Sequence, residues 1–227
     1  MNEQALKDVL AQIFSGVLEK LAAGATPSAG PAPEDGPITV ELSARHVHLS
    51  EKDVMALFGR PLTHRRDLSQ PGQFACNERV RLIGPKGVID NVSVLGPARG
   101  STQVEVSKTD ARVLGVNAPV RQSGDTKGTP GLILASDKAL LGIEEGVIVA
   151  ARHIHMTPED AERLGVHEKE MVSVRLETPD RTVVLEDVLV RVSDKFRLAM
   201  HIDTDEGNAA GWVKGTVGVI VERKGRP

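Results

Sequence analysis

The apolar positions follow two different periods along the chain. Over residues 1–22, Leu6, Val9, Leu10, Ile13, Phe14, Val17, Leu18 and Leu21 recur every three or four residues, with Glu3, Lys7, Asp8 and Lys20 off that stripe. This period predicts an amphipathic helix. The segment lacks the basic start and unbroken apolar run of a secretory signal. Residues 23–36 are rich in Ala, Gly and Pro, with Pro27, Pro31 and Pro33, and Pro37 follows directly. Such a stretch predicts a flexible linker. A helix with one apolar stripe on a tether points to an interaction tag; a helix folded onto the body, or one that mediates dimerisation, is the plainer reading. From residue 37 the period shortens. Candidate strands are Ile38–Ser43, Arg79–Ile83, Val88–Leu95, Gln103–Ser107, Val147–Ala151, Val172–Glu177, Thr182–Val192, Leu198–Ile202 and Thr216–Glu222. They alternate apolar and polar residues and are punctuated by Gly and Pro. Short helices are predicted near Glu51–Phe58 and Pro158–Leu164. Many short strands without long crossover helices favour barrels over a doubly wound sheet.

Composition narrows the function classes. The 227 residues allow one large domain or two small ones, and 40% apolar residues suffice for a core. Aromatics make up 2%, with no Tyr and one Trp, which leaves no stacking platform for single-stranded nucleic acid. A net charge of −3 gives no global basic field for nucleic acid or acidic lipid. No apolar run approaches the roughly 20 residues of a membrane span. The single cysteine, Cys76, excludes an internal disulfide framework and fits a reducing, cytosolic compartment.

An internal repeat carries the chemistry. Ala44-Arg45-His46-Val47-His48-Leu49-Ser50 matches Ala151-Arg152-His153-Ile154-His155-Met156-Thr157. Each copy reads as a strand end, His-x-His, an N-cap (Ser50, Thr157) and a short helix with Asp at its third position (Asp53, Asp160), Pro158 taking the first turn of the second. A weaker match follows: Gln103-Val104-Glu105-Val106-Ser107-Lys108-Thr109-Asp110 aligns with Ala199-Met200-His201-Ile202-Asp203-Thr204-Asp205-Glu206. Glu105 and His201 therefore occupy equivalent strand positions. Alternate strand residues share a face at about 6.6–7 Å between Cα atoms, so each imidazole pair can converge on one ion. His and carboxylate donors suit zinc. A lone His-x-His on a strand is more often an exposed or hydrogen-bonded pair; two copies with a paired Glu105 and His201 favour a metal site. The ligands exceed one tetrahedral shell, which points to two ions with open positions and hence to catalysis. His64 and His167 fall outside the repeat.

Arg99 sits in the turn Leu95-Gly96-Pro97-Ala98-Arg99-Gly100-Ser101-Thr102, where a guanidinium can clamp phosphate or carboxylate; the alternative is a surface arginine. The stretch Ser123–Gly131 could wrap a phosphorylated ligand with backbone N–H groups, or be an ordinary long loop. Cys76 has no neighbouring His in sequence and reads as a packing residue rather than a nucleophile.

The blocks Ser43-Ala44-Arg45-His46-Val47-His48-Leu49, Gln70-Pro71-Gly72-Gln73-Phe74, Leu95-Gly96-Pro97-Ala98-Arg99, Gly124-Asp125-Thr126-Lys127-Gly128, Ala151-Arg152-His153-Ile154-His155 and Ala199-Met200-His201-Ile202-Asp203, in this order, resemble the PduL-type phosphotransacylases, or phosphate propanoyltransferases. The resemblance covers about residues 37–222. It implies a mainly β fold of two β-barrel domains capped by short α-helices, one barrel formed by 37–45 with 151–222 and the other by 46–150. It implies two zinc ions, His46 and His48 on one and Glu105, His153, His155 and His201 on the other, with Arg99 holding phosphate. It implies exchange of coenzyme A and phosphate on a short acyl group such as propionyl or acetyl; a positioned phosphate dianion is nucleophilic enough that such a reaction requires no Ser or Cys nucleophile. It also implies that residues 1–22 act as an encapsulation peptide, docking shell or core proteins of a bacterial microcompartment and locating the chain in its lumen. A homo-oligomer is expected, and neither nucleic acid nor a membrane is an expected partner. Two rival readings remain at this point. A cupin-like metalloenzyme also uses His-x-His, but its Glu follows within a few residues, whereas Glu105 lies far from His48. A metal-stapled scaffold protein would close its ligand spheres and bind no coenzyme A.

Overall fold

The computed structural model describes residues 36–224. The helix expected over 1–22, and all but the last residue of the linker expected over 23–36, lie outside them. In chain order the elements are strands β1 (Ile38–Ser43) and β2 (His46–Ser50), helix α1 (Glu51–Phe58), strands β3 (His64–Asp67), β4 (Phe74–Ile83), β5 (Val88–Arg99) and β6 (Gln103–Glu105), and helix α2 (Lys108–Leu114). Strands β7 (Val120–Arg121), β8 (Leu132–Ala135), β9 (Leu140–Ile143), β10 (Val147–Ala150) and β11 (His153–Met156) lead to helix α3 (Pro158–Leu164). Strands β12 (Met171–Leu176), β13 (Val183–Val192) and β14 (Ala199–Asp203), helix α4 (Thr204–Ala210) and strand β15 (Val217–Lys224) follow.

The duplicated sequence blocks fold into duplicated topology. One sheet is a closed six-stranded barrel in the order β1-β14-β11-β13-β12-β15. The other contains the path β10-β6-β2-β5-β4-β8, the same order built from the other copy, with β7, β9 and β3 added at its margins. In each, the His-x-His strand lies parallel to one neighbour and antiparallel to the strand carrying Glu105 or His201. The strand preceding each His-x-His block crosses over: β1 lies parallel to β14, and β10 parallel to β6. One link is missing in the second sheet. β15 closes the barrel by pairing with both β12 and β1. Its counterpart β8 pairs with β4 but continues into the hairpin partner β9. The outer edge of β10 is taken by β7 instead, so this sheet remains a half-barrel.

Each sheet carries its own core of aliphatic side chains. Val47, Leu49, Val80, Leu82, Val94, Val104 and Val147 fill the half-barrel, and Ile38, Val40, Ile154, Met156, Val174, Val190 and Met200 fill the closed barrel. Burying each such side chain stabilises the fold by about 1.5–3 kcal/mol before chain entropy is subtracted. The expected caps are present: Ser50 accepts from the Asp53 amide and Thr157 from the Asp160 amide. Helices α2 and α4, not expected from apolar periodicity, start with capping boxes at Ser107–Asp110 and Asp203–Glu206. Their third-position acids also reach back to the repeated arginines. Arg45 meets Asp110 at 2.5 Å and Arg152 meets Glu206 at 3.0 Å, bracing the bend before each His-x-His block. No helix among the described residues is long and apolar enough to cross a membrane.

Candidate active site

Strand alternation sorts the repeated blocks into two faces. Val47, Leu49, Val104, Ile154, Met156, Met200 and Ile202 point into the two cores. The interleaved His46, His48, Glu105, His153, His155 and His201 all line one cleft of about 410 Å³, whose walls come from both sheets. Arg99, at the end of β5, lines it too. The close approach of Gly96 to Phe74 shapes this end of β5, since a Cβ on Gly96 would lie 2.4 Å from the phenyl ring.

Register pairs the groups across strands. His46 lies opposite Glu105, and His153 opposite His201. Two clusters result, His46–His48–Glu105 and His153–His155–His201, each with its potential ligand atoms within 4.8 Å of one another. Glu105 Oε2 is 3.4 Å from His46 Nε2, and Glu105 Oε1 is 4.0 Å from His48 Nε2. The grouping differs from the one the resemblance implies. Direct cross-strand pairing sets Glu105 beside His46 and His48, although it also borders a small hollow shared with His153 and His201.

The ring nitrogens are prepared for ligation. Nδ1 of His46 lies 2.8 Å from the Ala44 carbonyl, and Nδ1 of His153 lies 2.8 Å from the Ala151 carbonyl. A carbonyl only accepts, so Nδ1 carries the proton in both; Nε2 of His153 is left to present its lone pair, while Nε2 of His46 faces Glu105. Three further buried ring nitrogens, His48 Nδ1, His155 Nδ1 and His201 Nε2, have no hydrogen-bond partner. Such orphans are costly unless something binds them. Burial, then neighbouring positive charge, pushes His48 down to about 3, His155 to about 2 and His201 to about 3; burial also lowers His153. These four imidazoles are neutral at physiological pH, the form that binds metal. His46 moves the other way: burial would lower it, but the charge and hydrogen bond of Glu105 raise it. Burial would raise Glu105, but His46 and then His48 and Ser123 hold it well below the usual carboxylate range. Two clusters of N and O donors, partly unpartnered, fit zinc, which would take the place of any proton shared between His46 and Glu105.

Arg99 is held from one side. Its Nη1 donates to Ser123 Oγ at 3.2 Å, Gln103 Nε2 donates to the same oxygen at 2.8 Å, and Ser123 Oγ donates to Glu105 Oε1 at 3.0 Å. Burial lowers Arg99, Glu105 opposes this, and Arg191 adds to it.

A family model described as phosphate propanoyltransferase matches residues 39–213. The phosphate propanoyltransferase of Listeria monocytogenes is 54% identical over 188 residues, which is 82% of this chain and 88% of that protein. That of Alkaliphilus metalliredigens is 48% identical over 224 residues, covering 98% and 100%, and that of Salmonella typhimurium 53% over 176 residues, covering 77% and 84%. The chain belongs to the phosphate propanoyltransferase family. As a phosphate propanoyltransferase family member it is a transferase.

Several cleft residues of this family member escape a reading of its sequence. Ser123 is the one residue of the Gly-rich stretch among those lining the cleft. Gln103 is buried behind it and also accepts from the Gly124 amide at 2.7 Å. The signal for both was their spacing from Glu105 and the turn, which becomes meaningful only once β6 is placed. Arg191 and Phe196 line the cleft from β13 and the segment after it, and no motif marks them. Cys76 is buried and packed in the half-barrel core, and burial followed by Glu78 pushes its thiol up to about 11, so it is no ready nucleophile. His64 faces exposed Asp67, away from both clusters.

Proposed function

We propose that this chain interconverts a short acyl-CoA, propionyl-CoA or acetyl-CoA, plus phosphate with the acyl phosphate plus coenzyme A, using two zinc ions held by His46, His48 and Glu105 and by His153, His155 and His201. The observation that carries this reading is the convergence of both donor clusters and Arg99 on one cleft. Bound zinc would supply a Lewis acid and a soft position suited to sulfur.

The chain's own residues supply the rest. Arg99 offers a planar fork for a phosphate dianion, and Ser123 fixes the direction of that fork. A phosphate oxygen forms a bond to the thioester carbonyl carbon, the carbon–sulfur bond breaks, and the phosphate proton leaves on the departing thiol. Orientation of a nucleophile that is already anionic removes the need for a covalent acyl-enzyme. Arg99 also offers a donor to charge developing on the carbonyl oxygen. The test is release of free thiol and of acyl phosphate from acetyl-CoA or propionyl-CoA in the presence of phosphate. Thiol release independent of phosphate would mean a hydrolase and would overturn the reading.

We further propose that residues 1–22 direct the chain into the lumen of a bacterial microcompartment by docking shell or core proteins. The support is the single apolar stripe followed by a Pro-rich linker, since a lone helix of this length is marginal in water and must bury its stripe. Deleting 1–22 should leave acyl transfer near wild type while a fluorescent fusion loses its punctate location. Unfolding or loss of metal on deletion would contradict a tag.

A further inference from the structure

Besides Arg99, the cleft is lined by Arg45, Arg66 and Arg191, none of which has been given a role in binding. Arg191 lies on β13 opposite His155 in register, is half-buried and lines the cleft. Arg45 is paired with Asp110 and the equivalent Arg152 with Glu206, and Arg66 is exposed to solvent, whereas Arg191 is half-buried. Arg191 has no carboxylate within ion-pair distance among the described residues. Its Cζ sits 5.6 Å from the centroid of the Phe196 ring, and that ring lies 4.2 Å from the ring of His155. The segment carrying Phe196 is tied across the cleft. Gln70 Nε2 donates to the Arg197 carbonyl at 2.9 Å, and the Arg197 amide donates to Gln70 Oε1 at 3.2 Å. Gln70 is buried and opens the Gln70–Phe74 block, whose other end, Phe74, packs on Gly96. The strap keeps Phe196, and with it the Arg191 head, at the wall of the cleft.

A fixed, half-buried cation without a counter-charge is a binding site waiting for an anion. Arg99 alone is a poor match for a phosphate dianion, because it carries a single charge and its Nη1 is already engaged by Ser123. Arg99 comes from the half-barrel and Arg191 from the closed barrel. We propose that Arg191 binds the transferred phosphate together with Arg99, one guanidinium from each sheet. This rests on the acyl-transfer reading above. Through the step in which the phosphate oxygen joins the carbonyl carbon and the thiol departs with the phosphate proton, Arg191 makes and breaks no covalent bond; it neutralises the second charge of the dianion.

The test combines direct binding with kinetics. Inorganic phosphate is titrated calorimetrically into the full chain and into Arg191→Ala and Arg191→Lys. The Michaelis constants for phosphate, for acetyl-CoA and for acetyl-pantetheine, a thioester without the phosphates of coenzyme A, are measured separately. The Ala variant should weaken phosphate binding and raise the phosphate constant roughly ten- to a hundredfold, with both thioester constants within about twofold of wild type. The Lys variant should recover part of the loss, because charge returns without the fork. Should the Ala variant unfold, Arg191→Gln, which keeps a stem on Phe196, is held to the same result. Unchanged phosphate affinity overturns the proposal. So does a raised constant for acetyl-CoA but not for acetyl-pantetheine, which would assign Arg191 to the phosphates of coenzyme A. Arg191-dependent phosphate binding in a chain that transfers no acyl group would leave the proposal standing and sink the acyl-transfer reading instead.

Discussion

Ser123→Ala isolates the contact that aims Arg99. The hydroxyl accepts from Arg99 Nη1 at 3.2 Å and from Gln103 Nε2 at 2.8 Å, and donates to Glu105 Oε1 at 3.0 Å. Removing it leaves Glu105 with its bond from Gln103 Nε2 at 2.6 Å, so no buried oxygen is stranded and the fold and donor clusters should persist. Arg99 loses its one hydrogen-bond acceptor among the described side chains. A hydrogen bond to a charged group contributes about 1.5–3 kcal/mol, and 3.2 Å is at the long end of the range, so about 1.5 kcal/mol is the working figure. That corresponds to about a tenfold fall in kcat/KM for phosphate. The assay is a double-mutant cycle with Arg99→Ala. In the Arg99→Ala background, Ser123→Ala should cost less than about twofold, because its effect passes through a side chain that is gone. Additive losses, or loss of bound metal from the single variant, would refute the reasoning and make Ser123 a structural residue of the Glu105 cluster.

Arg99→Ala itself should leave the fold intact and reduce turnover about a hundredfold, the usual cost of one donor to developing charge, roughly 3 kcal/mol; turnover within about threefold of wild type would remove Arg99 from the site. The metal-free protein should lose stability as pH falls below about 6.5, because His48, His155 and His201 stay neutral when folded while the unfolded chain takes up protons there. The contribution of these histidines is fully present above about pH 6.5 and is lost as pH descends toward their folded values. Urea unfolding of the chelated protein between pH 7 and about 5 reads this directly, and a flat profile would mean the imidazoles are not buried neutral.

Much of the site was legible because it is written twice. Strand alternation around Val47 and Ile154, and the alignment of Glu105 with His201, needed only a period of two and an internal comparison. The cross-strand pairs His46–Glu105 and His153–His201 then follow from the duplicated topology. The strands β3, β7, β8 and β9 were not legible. They are two to four residues long, and β3 and β7 are exposed and carry no alternation at all. The open edge of the half-barrel depends on them, so its departure from a closed barrel could not be seen either. Helices α2 and α4 are seven residues long, as is α3, but lack the Pro that marks the first turn of α3; their starts lie in the capping pairs Ser107–Asp110 and Asp203–Glu206. Arg191 and Gln70 were invisible as site residues for another reason: their roles depend on where β13 and the segment carrying Phe196 fold back, and no local pattern encodes that.

In the proposed mechanism, zinc held by the two repeated clusters at the heart of the cleft is what makes acyl transfer possible there. Metal content per chain of the purified protein is therefore the decisive measurement. About two zinc ions per chain are expected, one for each cluster of three donors. Less than about half an equivalent, with acyl transfer intact after exhaustive chelation, would contradict it.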